Sequence, residues 1–249
     1  MMNGAKPVLV VRDEEQAWNR RALAQPVMWP HLRQWTYNNP AVVLGASQRD
    51  RPTGESSVPV LDRQSGGGAV LVGPWMLSAS IVLPTTHPLA QAGPIAAYCA
   101  IGEAYAAVLR SQGGDVESLS PARVTALSRT RGDTELAWAC FGGLAPGEVV
   151  VDGRKLLGLA QVCRRNGVLL VAGLLLYRPD WSLLCRALDR PFDDIAALER
   201  QTTSCAEICN ALPTLGAIAG QIYAQLRDVV AASPPKAIAQ RGTIPALPA

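Results

Sequence analysis

The chain has 249 residues, 49% of them hydrophobic and 17% charged, enough for one large domain or two small ones with a sizeable core. Its 23 Lys and Arg against 20 Asp and Glu leave a net charge of +3, which argues against a nucleic-acid surface and allows only a modest preference for an acidic partner. No apolar run reaches the roughly 18–20 residues of a membrane span, and the N-terminus lacks an apolar core followed by a cleavage site, so no membrane association and a cytoplasmic location are expected.

The elements follow in chain order. Asp13 to Leu23 carries charges with apolar residues at helical spacing and predicts a helix. Leu32 to Tyr37 alternates as a strand, Asn38-Asn39-Pro40 turns, and Ala41 to Leu44 forms a second strand ended by Gly45. Val58 to Leu61 and Ala69 to Val72 flank a glycine-rich loop as strands, and Met76 to Leu83 alternates into a fifth. Pro94 to Gln112 is a helix with Pro at its start, stopped by Gly113-Gly114.

Further on, Glu148 to Val151 and Lys155 to Ala160 flank Asp152-Gly153, a strong hairpin signal. Val168 to Tyr177 reads as a central strand, and Trp181 to Ala187 and Phe192 to Leu198 as short helices. Ser204 to Glu207 fits a capping box opening a helix from Ile208 to Val229, with an interruption at Leu212-Pro213. The tail from Ser233 is Pro-rich and expected to be disordered. The fold class this predicts is α+β, a mixed β-sheet with packed helices, in a single domain over residues 1–232 followed by the tail at 233–249.

Six cysteines stand at positions 99, 140, 163, 185, 205 and 209, with no Cys-x-x-Cys pair, and only His31 and His87 could join them at a metal. The density is too low for a disulfide scaffold and suits a reducing compartment with mostly buried thiols. Cys205 and Cys209 lie four apart and would share a helix face as core; no metal ligands are expected.

Two polar clusters stand out. Arg63 to Gly68 reads RQSGGG and leads into Ala69-Val70-Leu71-Val72. Three glycines cost roughly 0.5–1 kcal/mol each relative to Ala in a regular element. They suit a hairpin turn, or a loop whose amides and one guanidinium face an anion. The P-loop and the dinucleotide fingerprint are excluded by spacing. Asp152 to Gln161 reads DGRKLLGLAQ and places Lys155 at the mouth of a hairpin strand. That lysine is either a solvated edge charge or an ammonium that joins the glycine loop in stabilising a developing negative charge.

Four segments in order resemble the lipoate–protein ligase and octanoyltransferase family, which shares its catalytic fold with biotin–protein ligases. Pro40 to Gln48 is similar to its Pro-apolar-Gly-x-x-Gln strand and turn, and Arg63 to Val70 to its Arg-x-Ser/Thr-Gly-Gly-Gly-Ala-Val loop. Pro146 to Val149 falls where the family has a short acidic motif, and Gly153 to Gln161 is similar to its Gly-x-Lys-x-x-Gly-x-x-Gln signature. The likeness spans about residues 30 to 180.

The resemblance implies attachment of lipoate or octanoate to a lysine of a lipoyl carrier domain, in 2-oxoacid dehydrogenases or the glycine cleavage protein. A ligase would do so through an acyl-adenylate made from ATP with Mg²⁺, and that reading ranks slightly ahead. An octanoyltransferase would draw on acyl carrier protein; a non-catalytic acyl- or nucleotide-binding homologue is the third reading. Carried over, Lys155 contacts the acyl carbonyl and phosphate, and Arg63 with Gly66, Gly67 and Gly68 lines the reacting end. Glu148 stands on the nucleotide side, Val70, Leu71 and Val72 wall an acyl tunnel, and Ser65, Ala69, Gly158 and Gln161 complete the binding set.

Cys140, in Trp138-Ala139-Cys140-Phe141, matches the Cys-Phe context of the family's cysteine octanoyltransferases. Thioester chemistry favours an accessible thiol beside a cation, for which Lys155 is the candidate; the alternative is a buried apolar cysteine. The sequence departs from the family at Asp62, where a second arginine is frequent, at Leu159, where Ser or Thr is usual, and around Val72 and Ala172, where histidines are frequent. An accessory C-terminal domain is not expected after the helix near Val229.

Overall fold

In a computed structural model, described over residues 8–10, 14–48, 56–131, 136–209 and 214–232, the strands form two sheets. Ten strands are present: β1 (Val8–Val10), β2 (His31–Tyr37), β3 (Ala41–Leu44), β4 (Val60–Asp62), β5 (Val70–Val72), β6 (Met76–Leu83), β7 (Glu117–Ser118), β8 (Val149–Val151), β9 (Arg154–Arg164) and β10 (Gly167–Leu175). Seven make a large sheet in the order β1-β2-β6-β10-β9-β8-β7; β4-β3-β5 make a small one. The expected mixed α+β class holds. The Pro-rich tail and the Leu212-Pro213 pair lie outside the described residues.

β10 pairs antiparallel on both sides, with β6 and β9. Both its faces are covered, which is why its sequence is a continuous apolar run rather than an alternation. Along β2 the two faces separate. Gln34 donates through Nε2 to Ala219 O of α8 (Leu215–Ala231). Trp35 points the other way, toward α1 (Glu14–Ala22), and packs edge-on to Trp18 with ring centroids 5.7 Å apart. Glu14 in the first turn of α1 and Arg20 and Arg21 in its last complement the helix dipole. α3 (Pro94–Ser111) starts at a proline and packs on α8, burying Ile101, Tyr105 and Leu109.

The Asp152-Gly153 hairpin is present. Both residues have positive φ, 50° and 74°, as a two-residue turn joining twisted strands requires. Beyond it β9 continues to Arg164, four residues further than the sequence pattern predicted. The late helix is corrected. Ser204 opens only the single turn α7 (Cys205–Ile208), its hydroxyl bonding the Glu207 carboxylate at 2.9 Å instead of capping a backbone amide. The long helix is α8, capped by Thr214 accepting from Ala217 N. Cys205 is buried in the short turn, where burial raises its thiol pKa strongly, and Cys209 follows the turn, also buried.

Four further elements carried weak local signals: β1, β7, α2 (Pro88–Gln91) and α4 (Pro121–Arg131). The short helices α5 (Trp181–Ala187) and α6 (Asp193–Gln201) match expectation closely. No helix among the described residues is long and apolar enough to cross a membrane.

Candidate functional site

The glycine loop joins β4 to β5, and these strands are not partners. Both pair with β3, β4 parallel and β5 antiparallel, so the hairpin reading is replaced by a crossover past the end of β3. The crossing point is tight: a Cβ on Gly45 would sit 1.9 Å from Gly67 O. Gly67 itself has φ +90°, a region that favours glycine. Gly68 faces the backbone of the Cys140 segment, and a Cβ there would come within 2.6 Å of Ala139 C. Gly66 has neither constraint: its φ is ordinary and nothing lies within 4 Å of a Cβ built on it. Two of the three glycines answer to the fold, and the third leaves open space above the loop.

Arg63 holds this crossover from inside. It is buried, and its Nη2 donates to Gly66 O and Gly68 O, each at 2.8 Å. The neighbouring turn adds Ala46 N to the carbonyl of buried Ser65 at 2.9 Å. The loop then pairs with the segment ahead of Cys140: Ala69 N donates to Trp138 O at 2.8 Å and Cys140 N to Ala69 O at 2.7 Å. Gln48 Nε2 donates to the same Trp138 carbonyl at 2.9 Å. Two motifs some 70 residues apart are thereby one rigid unit.

Lys155 corrects the solvated-edge reading. β9 is interior to the sheet, and the side chain is 1% exposed. An ammonium has three donors, and all three are committed: to Glu148 Oε1 at 2.6 Å, Cys140 O at 2.6 Å and Gly143 O at 3.0 Å. The Phe141 ring centroid lies 5.4 Å from Nζ. Glu148, placed by the sequence on a nucleotide side, is buried against this ammonium. Its other contacts are amides, Ala145 N at 2.8 Å and Leu159 N at 3.1 Å. Burial raises its pKa, and Lys155 with the two amides pulls it back toward the ionised form.

Between the two sheets and α1 lies a narrow slot of about 40 Å³, lined by residues that converge from seven elements. β5 offers Val70 and Val72, β6 offers Met76 and Ser78, β9 offers Gly158, Leu159 and Ala160, and β10 offers Val171 and Gly173. Cys140, Phe141 and Arg63 line it too. Leu71 does not: it points into the core with no exposure, so only two of the three expected wall residues serve. Cys140 is half-buried, neither sealed like Cys185 nor fully open. Gln161 lies off the slot, donating to Cys163 Sγ at 3.1 Å. Of the departures from the family pattern, Val72 and Leu159 line the slot, Ala172 is buried elsewhere and Asp62 is exposed.

Sequence reasoning missed the end of the slot formed by α1. Glu15 is buried there; Tyr37 Oη hydrogen-bonds its Oε2, and Ser78 Oγ donates to its Oε1 at 2.9 Å. Ser80 accepts from Trp35 Nε1 at 2.9 Å and touches the same carboxyl. Burial pushes the Glu15 pKa above the usual carboxylate range, against the pull of Tyr37 and Ser78. Among the described residues no group of three or more His, Cys, Asp and Glu comes together to hold a metal ion.

Comparison with known proteins agrees with this fold. The family described as lipoyl protein ligase A/B catalytic domain matches residues 13–227. The chain is 30% identical over 175 residues to octanoyltransferase LipM of an Exiguobacterium species, covering 67% of this chain and 62% of that protein. It is 30% identical over 165 residues to octanoyltransferase LipM of Carboxydothermus hydrogenoformans, covering 64% of this chain and 57% of that one. The match thus spans about three fifths of these relatives' length. The fold is similar to that of a bi-partite lipoate protein ligase from Thermoplasma acidophilum, solved in an archaeal lipoylation system with its E2 lipoyl domain. That likeness has a TM-score of 0.62 at 14% identity, over 90% of this chain and 81% of that one, and is a likeness of fold. The chain belongs to the lipoyl protein ligase A/B catalytic-domain family.

Proposed function

We propose that this family member is an octanoyltransferase, moving an octanoyl group from a thioester donor to a lysine of a lipoyl carrier domain through a thioester on Cys140. The observation that carries the reading is the seat of Cys140. It stands half-buried on the wall of the apolar slot, its backbone paired to the glycine loop and its carbonyl held by Lys155. The relatives named octanoyltransferase at 30% identity favour transfer over ATP-dependent ligation, which the sequence alone had ranked first. The archaeal neighbour is described together with its E2 lipoyl domain, which supports a lipoyl domain as acceptor.

The chemistry runs in two exchanges. Cys140 Sγ attacks the carbonyl of the donor thioester; the donor's C–S bond breaks, and its sulfur leaves with the proton that Cys140 gives up. The acceptor lysine, as a neutral amine, then attacks the Cys140 thioester. An amide forms, the Cys140 C–S bond breaks, and the amine's proton returns to the thiol. Negative charge grows on the carbonyl oxygen in both steps, and the Lys155 ammonium beside the Cys140 backbone is the fixed positive charge that opposes it.

An eight-carbon chain gains roughly 0.8 kcal/mol for each CH₂ buried. The slot is narrow, so the chain enters by moving side chains, and Met76 is the most adaptable of its walls. Intact-mass spectrometry tests the reading. A donor-dependent gain of one octanoyl group on this protein without ATP, absent in Cys140→Ala, and its passage to an apo lipoyl domain, are expected. Modification of the lipoyl domain only with octanoate or lipoate, ATP and Mg²⁺, undiminished by Cys140→Ala, would overturn it in favour of the ligase. No modification under either condition would leave the non-catalytic homologue.

A further inference from the structure

A second cleft opens on the other side of the glycine loop from the acyl slot. Its cavity of about 230 Å³ is lined by Leu23, Gln64, Arg164, Arg165 and Asn166. Arg164 and Arg165 form the exposed tip of the β9–β10 hairpin. Among the described residues neither guanidinium has an ion-pair or hydrogen-bond partner. The tip does not wave freely. Asn166 Nδ2 donates to Leu23 O at 3.0 Å, and Val27 N donates to Asn166 O at 2.7 Å, tying it to the end of α1. Facing it, Gln64 has a buried Oε1 with no hydrogen-bond partner. Since amide O and N are assigned rather than seen, that side chain can turn either group to a ligand.

The position matters more than the charge. Arg63 lines the acyl slot and Gln64, the next residue, lines the cleft, so a single loop separates the two. From Gln64 the chain reaches Ala69, which bonds Cys140 N, in five residues. That is at most about 18 Å of extended backbone.

We infer that the Arg164–Arg165–Gln64 cleft is a binding site for a phosphate ester carried by the acyl donor, holding its anion while the acyl end reaches Cys140. The inference rests on the transfer reading and adds where the donor's phosphate is held. Paired guanidinium forks match a phosphate's oxygens in geometry as well as charge. A thioester donor built on a phosphopantetheine arm carries its phosphate at the opposite end of the arm from the sulfur, so its two ends can engage the cleft and Cys140 together. An acyl-adenylate carries the same phosphate chemistry directly beside the acyl group.

The experiment compares wild type with the double variant Arg164→Ala/Arg165→Ala, exposed positions at which the fold loses no hydrogen bond or ion pair of a guanidinium among the described residues. Four donors are used: octanoyl-pantetheine, octanoyl-phosphopantetheine, the octanoyl carrier protein and octanoyl-adenylate. Acylation rates are followed by mass, and phosphopantetheine binding by calorimetry. Wild type is expected to show a KM about tenfold lower for octanoyl-phosphopantetheine than for octanoyl-pantetheine. The variant loses that preference and the calorimetric signal, and its rate on octanoyl-pantetheine stays that of wild type. An effect of the variant confined to octanoyl-adenylate, with both pantetheines used as by wild type, overturns the inference, because an adenylate's phosphate lies beside the acyl group and not at the far end of an arm. Equal use of both pantetheines by wild type, with no phosphopantetheine binding, overturns the inference. So does a variant impaired only on the intact carrier protein, since the arginines would then contact the carrier's surface. If no thioester acylates Cys140 the transfer reading fails by itself, and the cleft is still judged by calorimetry and the adenylate arm.

Discussion

The Lys155 ammonium lies 2.6 Å from the Glu148 carboxylate, and each side chain is only 2% exposed. Such a pair is weak evidence of stability taken whole, because desolvation offsets attraction, but breaking it strands a buried charge at about 3–5 kcal/mol. Lys155→Met is therefore expected to lose stability on that scale in urea unfolding. Lys155→Met/Glu148→Gln should recover part of the loss, because the neutral amide removes the stranded charge and its oxygen still accepts from one of the two backbone amides, Ala145 N and Leu159 N, that bond separate carboxylate oxygens. Neither variant should turn over. A Lys155→Met protein as stable as wild type would mean that the pair is solvated.

The glycine triplet separates fold from ligand. Gly68→Ala drives a methyl into the Ala139–Cys140 backbone and should displace Cys140, the proposed nucleophile, lowering acylation and stability together. Gly66→Ala meets nothing and has ordinary φ, so its melting temperature should stay within a degree or two of wild type. A fall in acylation by Gly66→Ala with unchanged melting places the acyl donor over that residue. Unchanged activity places it elsewhere.

The slot's width can be probed at Gly158. A Cβ there would meet Phe141 Cζ at 3.4 Å and Lys155 Cε at 3.5 Å, close to ordinary contact, so Gly158→Ala should fold. The methyl takes space from the acyl chain. Losing one buried CH₂ is worth about 0.8 kcal/mol, close to fourfold in kcat/KM. Competition between octanoyl and shorter donors should shift by that factor toward the shorter chain, and an unshifted ratio would place the chain away from Gly158.

The parts of the site that were legible in the sequence are those coded locally. Asp152-Gly153 announced its turn because only a few residue types accept positive φ at both positions. The glycine loop and the lysine strand announced themselves by composition and order. What joins them did not. The Lys155–Glu148 contact looks in sequence like two charges flanking a turn, and only the interior place of β9 shows that both are sealed. The glycine loop passed for a hairpin because the strand between β4 and β5 precedes both in the chain. Glu15 sits in the run Asp13-Glu14-Glu15, where helical periodicity predicts a solvated acidic turn. Its partners Tyr37 and Ser78 are 22 and 63 residues away, too far for any pattern to record.

That same carboxyl gives a pH signature with a definite sign. Glu15 titrates above its ordinary value of 4.5 in the folded protein because it is buried. Below 4.5 folded and unfolded states are both protonated, and its contribution to stability is fully present. As pH rises past that value the unfolded carboxyl ionises while the folded one keeps its proton. The unfolded state gains about 1.4 kcal/mol for each further pH unit until the folded carboxyl titrates too. Glu15→Gln keeps the shape and the acceptor for Ser78 and removes the proton. Its unfolding free energy, measured against wild type in urea, should therefore improve steadily from pH 5 upward and then level. Other titrating groups cancel in that difference. A flat difference from pH 4 to 8 would show that Glu15 ionises as freely in the fold as in the unfolded chain, and that water reaches the inner end of the slot.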